Sequence, residues 1–343
     1  MKNFIKIVFP HHGPVKTQKE IQGTFQCILT GIVNAERPSH ITIALVLLIA
    51  ILAVSTSSIF IRFAQAQGTP SIVIAALRLT FAALILTPIA LSRYMDEIKR
   101  FTRTEVLLGA FSGIFLAIHF ATWITSLEFT TVANSVVFVS TGPLWVAILS
   151  PFLLNERLNR IAVMGLILSL AGGITAALAD ACPWNNGLTC PGLHNMLEGD
   201  AMWGNFLALA GAWAVTGYLI IGRKLRGDRS LIPYVFMVYG MAAIVLIILM
   251  VGSGNTPFGY TPNVYAWIFM LAALPQLIGH STFNWALKHL PASFVATTTL
   301  GEPIGSAALA FLILKETPAI LTILGGILIL FGIFLVSRSK PKR

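Results

Sequence analysis

The sequence predicts an all-α polytopic membrane protein: ten transmembrane helices arranged as two inverted-topology five-helix repeats. Three observations predict it. The composition is too apolar for a water-facing surface, apolar runs recur that are long enough to cross a bilayer, and residues coincide between the two halves of the chain. Apolar residues make up 56% of the 343 positions and charged residues 10%, where soluble proteins average about 45–50% and about 25%. A run of 18 or more apolar residues crosses roughly 30 Å of hydrocarbon as a helix.

Read between loop signals, the runs place spans near 41–61, 71–91, 105–126, 130–153 and 160–179 in the first half. In the second half they fall near 201–221, 230–251, 263–287, 291–314 and 317–337. The expected domains are an N-terminal extension (1–40), a first repeat (41–179), a loop on the non-cytoplasmic side (180–200), a second repeat (201–337) and a basic tail (338–343).

The net charge of +10 raises the question of a nucleic-acid partner, which the placement of the basic residues decides. With ten spans and a cytoplasmic N-terminus, 20 of the 23 Lys and Arg residues fall on one face; Arg62 and Lys315 fall on the other, and Arg78 lies within a span. This is the positive-inside pattern, so the charge calls for a lipid bilayer and for no nucleic acid. Both termini are expected to be cytoplasmic, in a bacterial inner (plasma) membrane.

The first forty residues lack a long apolar region leading to a small-residue cleavage site, so a cleaved signal peptide is not expected. Cys182 and Cys190, in "ACPWNNGLTCPG", fall on the non-cytoplasmic side. They either close a small disulfide loop or remain two free thiols, since spacing alone does not report geometry. No paired CxxC motif is present, and no metal or cofactor is expected.

Laid over itself at an offset of 160, the chain matches Pro143 with Pro303, Glu156 with Glu316, Gly165 with Gly325 and Gly172 with Gly332. At an offset of 161, His119 falls on His280, Arg62 on Arg223, and "AVS" at 53–55 on "AVT" at 214–216. Five spans per copy is an odd number, so the second copy enters the membrane upside down. Inverted repeats around a midplane site are characteristic of secondary transporters. Pro143, Pro303, Gly165 and Gly325 are read as architecture, and Glu156 and Glu316, at span ends, as structural contacts.

The segments "HFATWITSLEFTTVANSVVFVSTGPLWVAILSPFLLNER" and "GHSTFNWALKHLPASFVATTTLGEPIGSAALAFLILKE" resemble the two halves of the EamA family in the drug/metabolite transporter superfamily. The likeness covers about Ile41 to Ser337. It implies export of amino acids or other small metabolites, and an arginine at the place of Arg78 is similar to the family pattern.

The intramembrane polar residues are the candidate site. A charge at membrane depth costs roughly 2.5–3.5 kcal/mol and usually faces the bundle interior. Glu302, in "TLGEPIGSA", has about eleven span residues on each side, hence about 16 Å to each end. Thr298, Thr299 and Ser306 stand three or four positions away and join it in one polar stripe, while Pro303 is expected to kink the helix there. A carboxylate at that depth holds either a proton or a cationic group, and exchange between them suits coupling to protons. The alternative is a protonated acid tying helices together. Arg78 is either Glu302's partner, a receiver for a substrate carboxylate, or an arginine snorkelling to the headgroups. His119 and Trp123 on the third span, and Gln276, His280 and Asn284 on the eighth, form two stripes that could face each other. Trp123 and Asn284 are expected to line a cavity, and the histidines to serve either in packing or in proton coupling.

The expected function is a secondary transporter, not an enzyme, that moves a small molecule outward by alternating access. No GxxxxGK[ST] run is present for ATP hydrolysis. A passive channel or facilitator is the alternative. A membrane-embedded enzyme ranks below both, because no HExxH or nucleophile–base cluster accompanies the histidines. Oligomeric state is not legible.

Overall fold

A computed structural model describes residues 38–130, 135, 138–181, 199–309, 311–312 and 320–338. The described residues are almost wholly helical and hold no strand. Cys182, Cys190, Glu316 and most of the N-terminal extension and basic tail lie outside them.

The chain clusters into two units, Met1–Thr42 and Ile43–Arg343. In the first, the Ser39 hydroxyl accepts the Thr42 amide at 3.1 Å, a cap for one of the free amides at a helix start. All but the first three residues of the helical elements belong to the second unit.

Helix α1 (His40–Ser55) continues after a break at Thr56 as α2 (Ser57–Gln65). Next come α3 (Ser71–Arg93), α4 (Met95–Lys99) and α5 (Arg103–Phe129). Thr102 and Glu105 start α5 with a reciprocal capping box. Then follow α6 (Gly142–Leu153), α7 (Arg160–Ala181), α8 (Gly199–Arg226) and α9 (Leu231–Gly252). Pro143 stands in the first turn of α6, where its missing amide costs nothing. Helix α10 (Pro262–Leu271) runs through a π-helical segment (Ala272–His280) into α11 (Ser281–His289). Pro275 lies in that segment. Lacking an N–H, it cannot continue the α-helical bonding, and a wider turn accommodates it. Two eight-residue helices, α12 (Ala292–Thr299) and α13 (Glu302–Leu309), precede α14 (Ile320–Arg338).

Seven of the described helices are long and apolar enough to cross a membrane: His40–Gln65, Ser71–Arg93, Arg103–Phe129, Asp200–Arg226, Leu231–Gly252, Pro262–His289 and Ile320–Arg338. Gly142–Leu153 and Arg160–Ala176 are shorter apolar helices. The expected single helix at 291–314 is instead divided. Leu300 and Gly301 donate to the carbonyls of Thr297 and Thr298, three residues back, so the helix tightens and ends before Glu302. Pro303 is the cause: its ring crowds the preceding turn.

Helices α7 and α14 touch backbone to backbone. A Cβ on Gly165 would lie 2.6 Å from the Gly332 carbonyl oxygen, and one on Gly172 would lie 2.6 Å from that of Gly325. Between these contacts Ser169 donates to the Ile329 carbonyl at 3.3 Å. Close approach through small residues is how helices associate in lipid, where no hydrophobic effect drives them together.

Candidate functional site

The site is built on α3, α5, the π-helical segment and the α12–α13 break. Arg78 lies on α3, seven residues from its start, and is completely buried. The snorkelling alternative is therefore excluded. Its Nε donates to Gln276 Oε1 at 3.1 Å, and its guanidinium carbon sits 4.1 Å from the centre of the Phe120 ring on α5. The ring face attracts the cation and fixes its plane. Both terminal nitrogens, Nη1 and Nη2, have no hydrogen-bond partner.

Gln276 lies in the π-helical segment, one residue after Pro275. Its amide nitrogen is also buried without a partner, as is the indole nitrogen of Trp123. Buried donors are ordinarily satisfied, and each orphan costs about 1–3 kcal/mol. Arg78 and Gln276, held together by their bond, thus leave three donor atoms in want of an acceptor.

Glu302 opens the first turn of α13. Its surface is partly accessible. It interacts electrostatically with Arg78 without forming an ion pair. The backbone around it is fixed by α1: Ser55 donates to the Glu302 carbonyl at 3.0 Å, and Ser306 donates to the Ser55 carbonyl at 3.0 Å. Gly305 permits this approach, since a Cβ there would lie 2.2 Å from Ser55 Oγ. A related contact joins α8 to α6, where Thr216 donates to the Gly142 carbonyl at 3.3 Å.

The residues of the expected polar stripe are divided between two helices, Thr298 and Thr299 on α12 and Glu302 and Ser306 on α13. Thr298 and Thr299 donate their hydroxyls to the carbonyls of Phe294 and Ala296. These local bonds leave Thr298 buried and Thr299 partly accessible.

The third and eighth spans meet at Phe120. His280 presents its edge to Phe120, with ring centres 5.3 Å apart, and His119 stacks on Trp123 at 5.9 Å. His119 also bonds through Nδ1 to the Gly211 carbonyl on α8 at 2.9 Å. Asn284 donates to the Tyr218 hydroxyl, within a buried layer where Tyr234 bonds Ser112 at 2.9 Å and Tyr239 bonds Ser281 at 3.1 Å. Sequence reasoning did not single out Tyr234, Tyr239 or Phe120 for the site. Each stands in an apolar run where an aromatic residue reads as core, and only the polar tip of tyrosine hints at a bonded interior.

Glu156 makes the structural contact expected at a span end. Its carboxylate pairs with Arg223 at 2.6 Å. Among the described residues, no cluster of three His, Cys, Asp or Glu side chains is arranged to hold a metal ion. A separate cleft of about 380 Å³ opens beside the start of α3 and the ends of α5 and α9, lined by Pro70, Ser71, Glu128, Leu249, Ser253 and Asn255 among others. It contains none of the candidate residues.

Comparison with known proteins gives one consistent answer. An uncharacterized transporter of Archaeoglobus fulgidus is 23% identical over 67% of this chain and 75% of its own length. The uncharacterized transporter YetK of Bacillus subtilis is 22% identical over 87% of this chain and 88% of its own. The pseudopaline exporter CntI of Pseudomonas aeruginosa is 25% identical over 66% and 74%. A solved crystal structure aligns with a TM-score of 0.69 and 18% identity, covering 87% of this chain and 96% of that one, and so has the same fold. The model of the EamA-like transporter family matches residues 41–177 and again residues 202–338. The chain therefore belongs to the EamA-like transporter family, an integral membrane protein of a transport family.

Proposed function

We propose that this protein is a secondary transporter that carries a small metabolite or amino acid outward, by alternating access around a site bounded by Arg78 and Glu302. The observation that carries this reading is Arg78: a fully buried cation with two unpartnered nitrogens that interacts electrostatically with the partly accessible carboxylate of Glu302. In this reading Arg78, Gln276 and Trp123 receive an acidic group of the substrate, and Glu302 receives its amine or a proton. His119, His280 and Asn284 bound the space, with Thr298 and Thr299 at its edge. Glu302 sits at a broken helix, the arrangement that transporters use to bring free backbone groups to a midplane site.

The reading takes the two matched segments as inverted copies of five spans each. Support comes from contacts between counterpart residues. Gly165 meets Gly332 while Gly172 meets Gly325, crossed pairs that exchange into one another when counterparts are swapped. Ser55 with Glu302 and Thr216 with Gly142 correspond in the same way. Support for outward transport is the relative named as an exporter, and the positive-inside rule puts the face bearing Arg223 and both termini in the cytoplasm.

The test is counterflow in proteoliposomes over a panel of zwitterionic, anionic and cationic metabolites. Transient accumulation of labelled substrate against its gradient is expected for zwitterions. Equilibration without overshoot would identify a passive channel instead. An imposed proton gradient is expected to drive transport by the parent protein but not by Glu302→Gln.

A further inference from the structure

The contacts of Glu156 and Arg223 do more than join two side chains. At the end of α6, Asn155 adopts a left-handed conformation with φ of 56°, which asparagine tolerates better than most residues. The chain turns there, so that Glu156 N–H bonds back to the Ser150 carbonyl at 3.3 Å and its side chain extends to α8. One carboxylate oxygen, Oε1, accepts from Arg223 Nε at 2.6 Å. The other, Oε2, accepts from the Ala292 amide at 3.0 Å, the first residue of α12. Arg223 Nη1 donates to the carbonyls of Leu287 at 2.6 Å and Lys288 at 3.3 Å, in the last turn of α11. The pair therefore fills orphan groups at both helix ends flanking the α11–α12 connector. Its charges also oppose the two end dipoles favourably, carboxylate at an N-terminus and guanidinium at a C-terminus.

Helix α12 is bounded on its other side by the break at Leu300 and Gly301, after which Glu302 begins. It is a rod of eight residues, about 12 Å long, held at one end by Glu156 and ending at a backbone discontinuity beside the candidate site. Short elements that end in such breaks take up changes in backbone angle during gating.

We infer that Glu156 and Arg223 form a latch that seats α12 and closes the pathway on the basic face. Release of the latch lets α12 swing about Leu300–Gly301 and opens the Glu302 site to that face. The inference rests on the reading of Glu302 as facing the pathway.

Accessibility of a single cysteine, which needs no substrate, tests it. Cys27, Cys182 and Cys190 are replaced by alanine, and Thr299→Cys is labelled with a membrane-impermeant maleimide in vesicles of each orientation. Lys224→Cys, on the exposed end of α8, reports which preparation presents the basic face. Glu156→Gln is expected to raise the Thr299→Cys labelling rate from the basic face by about fivefold, the scale of one partly exposed ion pair, with no rise from the other face. Arg223→Lys, which keeps the charge but loses the fork that reaches Leu287, is expected to give a smaller rise and serves alone if Glu156→Gln does not fold. Labelling unchanged by both variants, or raised equally from both faces, overturns the latch while leaving the pathway reading intact. Absence of labelling from either face in every protein overturns the pathway reading, and the latch with it.

Discussion

Ser55 donates its hydroxyl to the carbonyl of Glu302 at 3.0 Å while accepting, through its own carbonyl, the hydroxyl of Ser306 at 3.0 Å. This reciprocal pair ties the end of α1 to the first turn of α13, and it depends on Gly305 having no Cβ. The backbone of the candidate carboxylate is thus fixed from the opposite end of the sequence, while its side chain is left unbonded.

Gly305→Ala should therefore be destabilising by about 1–3 kcal/mol, the usual cost of inserting a methyl group where none fits. Removing the obstructing hydroxymethyl group with Ser55→Gly should return part of that loss. A double-mutant cycle on thermal stability in detergent checks it, and additive effects would mean that the two residues do not meet.

Arg78→Met with Gln276→Leu should stop transport yet leave the fold as stable as the parent or more so. The pair contributes three unpartnered buried donors, and replacing a buried charge and its partner by apolar groups of similar size is often neutral or stabilising. Transport and melting temperature measured on the same preparation check this. A large loss of stability would make Arg78 a structural residue.

Glu302→Gln should fold normally, because no hydrogen bond of the described structure ends on its carboxylate, and should lower transport by at least about tenfold if the charge receives a substrate amine or proton. Glu302→Asp should retain partial transport. Normal transport by the glutamine variant across pH 5.5 to about 8, a range spanning ordinary proton gradients, would remove Glu302 from the site.

Gly172→Val should separate α7 from α14, since its Cβ would lie 2.6 Å from the Gly325 carbonyl oxygen and 2.8 Å from the Ile329 amide. A cost of about 1–3 kcal/mol or misfolding is expected. Gly173→Ala, whose Cβ meets nothing within 4 Å, should be silent or slightly stabilising through helix propensity. Monodispersity and melting temperature distinguish the two.

Much of the framework was legible in the sequence because its signals are local or repeat within the chain. Hydropathy runs mark the helices, Pro303 marks a distortion next to Glu302, and the offset near 160 pairs Gly165 with Gly325 and Gly172 with Gly332. The arginine at position 78 was visible as a charge at depth, since lipid makes such a residue conspicuous. Rotation of the helices was not visible. A helix that faces lipid on one side and protein on the other is apolar on both, so no amphipathic contrast reports which residues point inward.

By itself, then, the sequence determined that the chain spans a membrane, belongs to a transport family and carries a kink signal, Pro303, beside Glu302. The tertiary structure decided which groups stand together. It gave Arg78 the partner Gln276, 198 residues away, divided the helix between Thr299 and Glu302, and set Glu156 between Arg223 and the start of α12. The physical reason is that hydropathy and proline act on neighbouring residues, whereas the pairing of buried polar groups depends on helix rotation and on wide or broken turns that bring distant side chains into register.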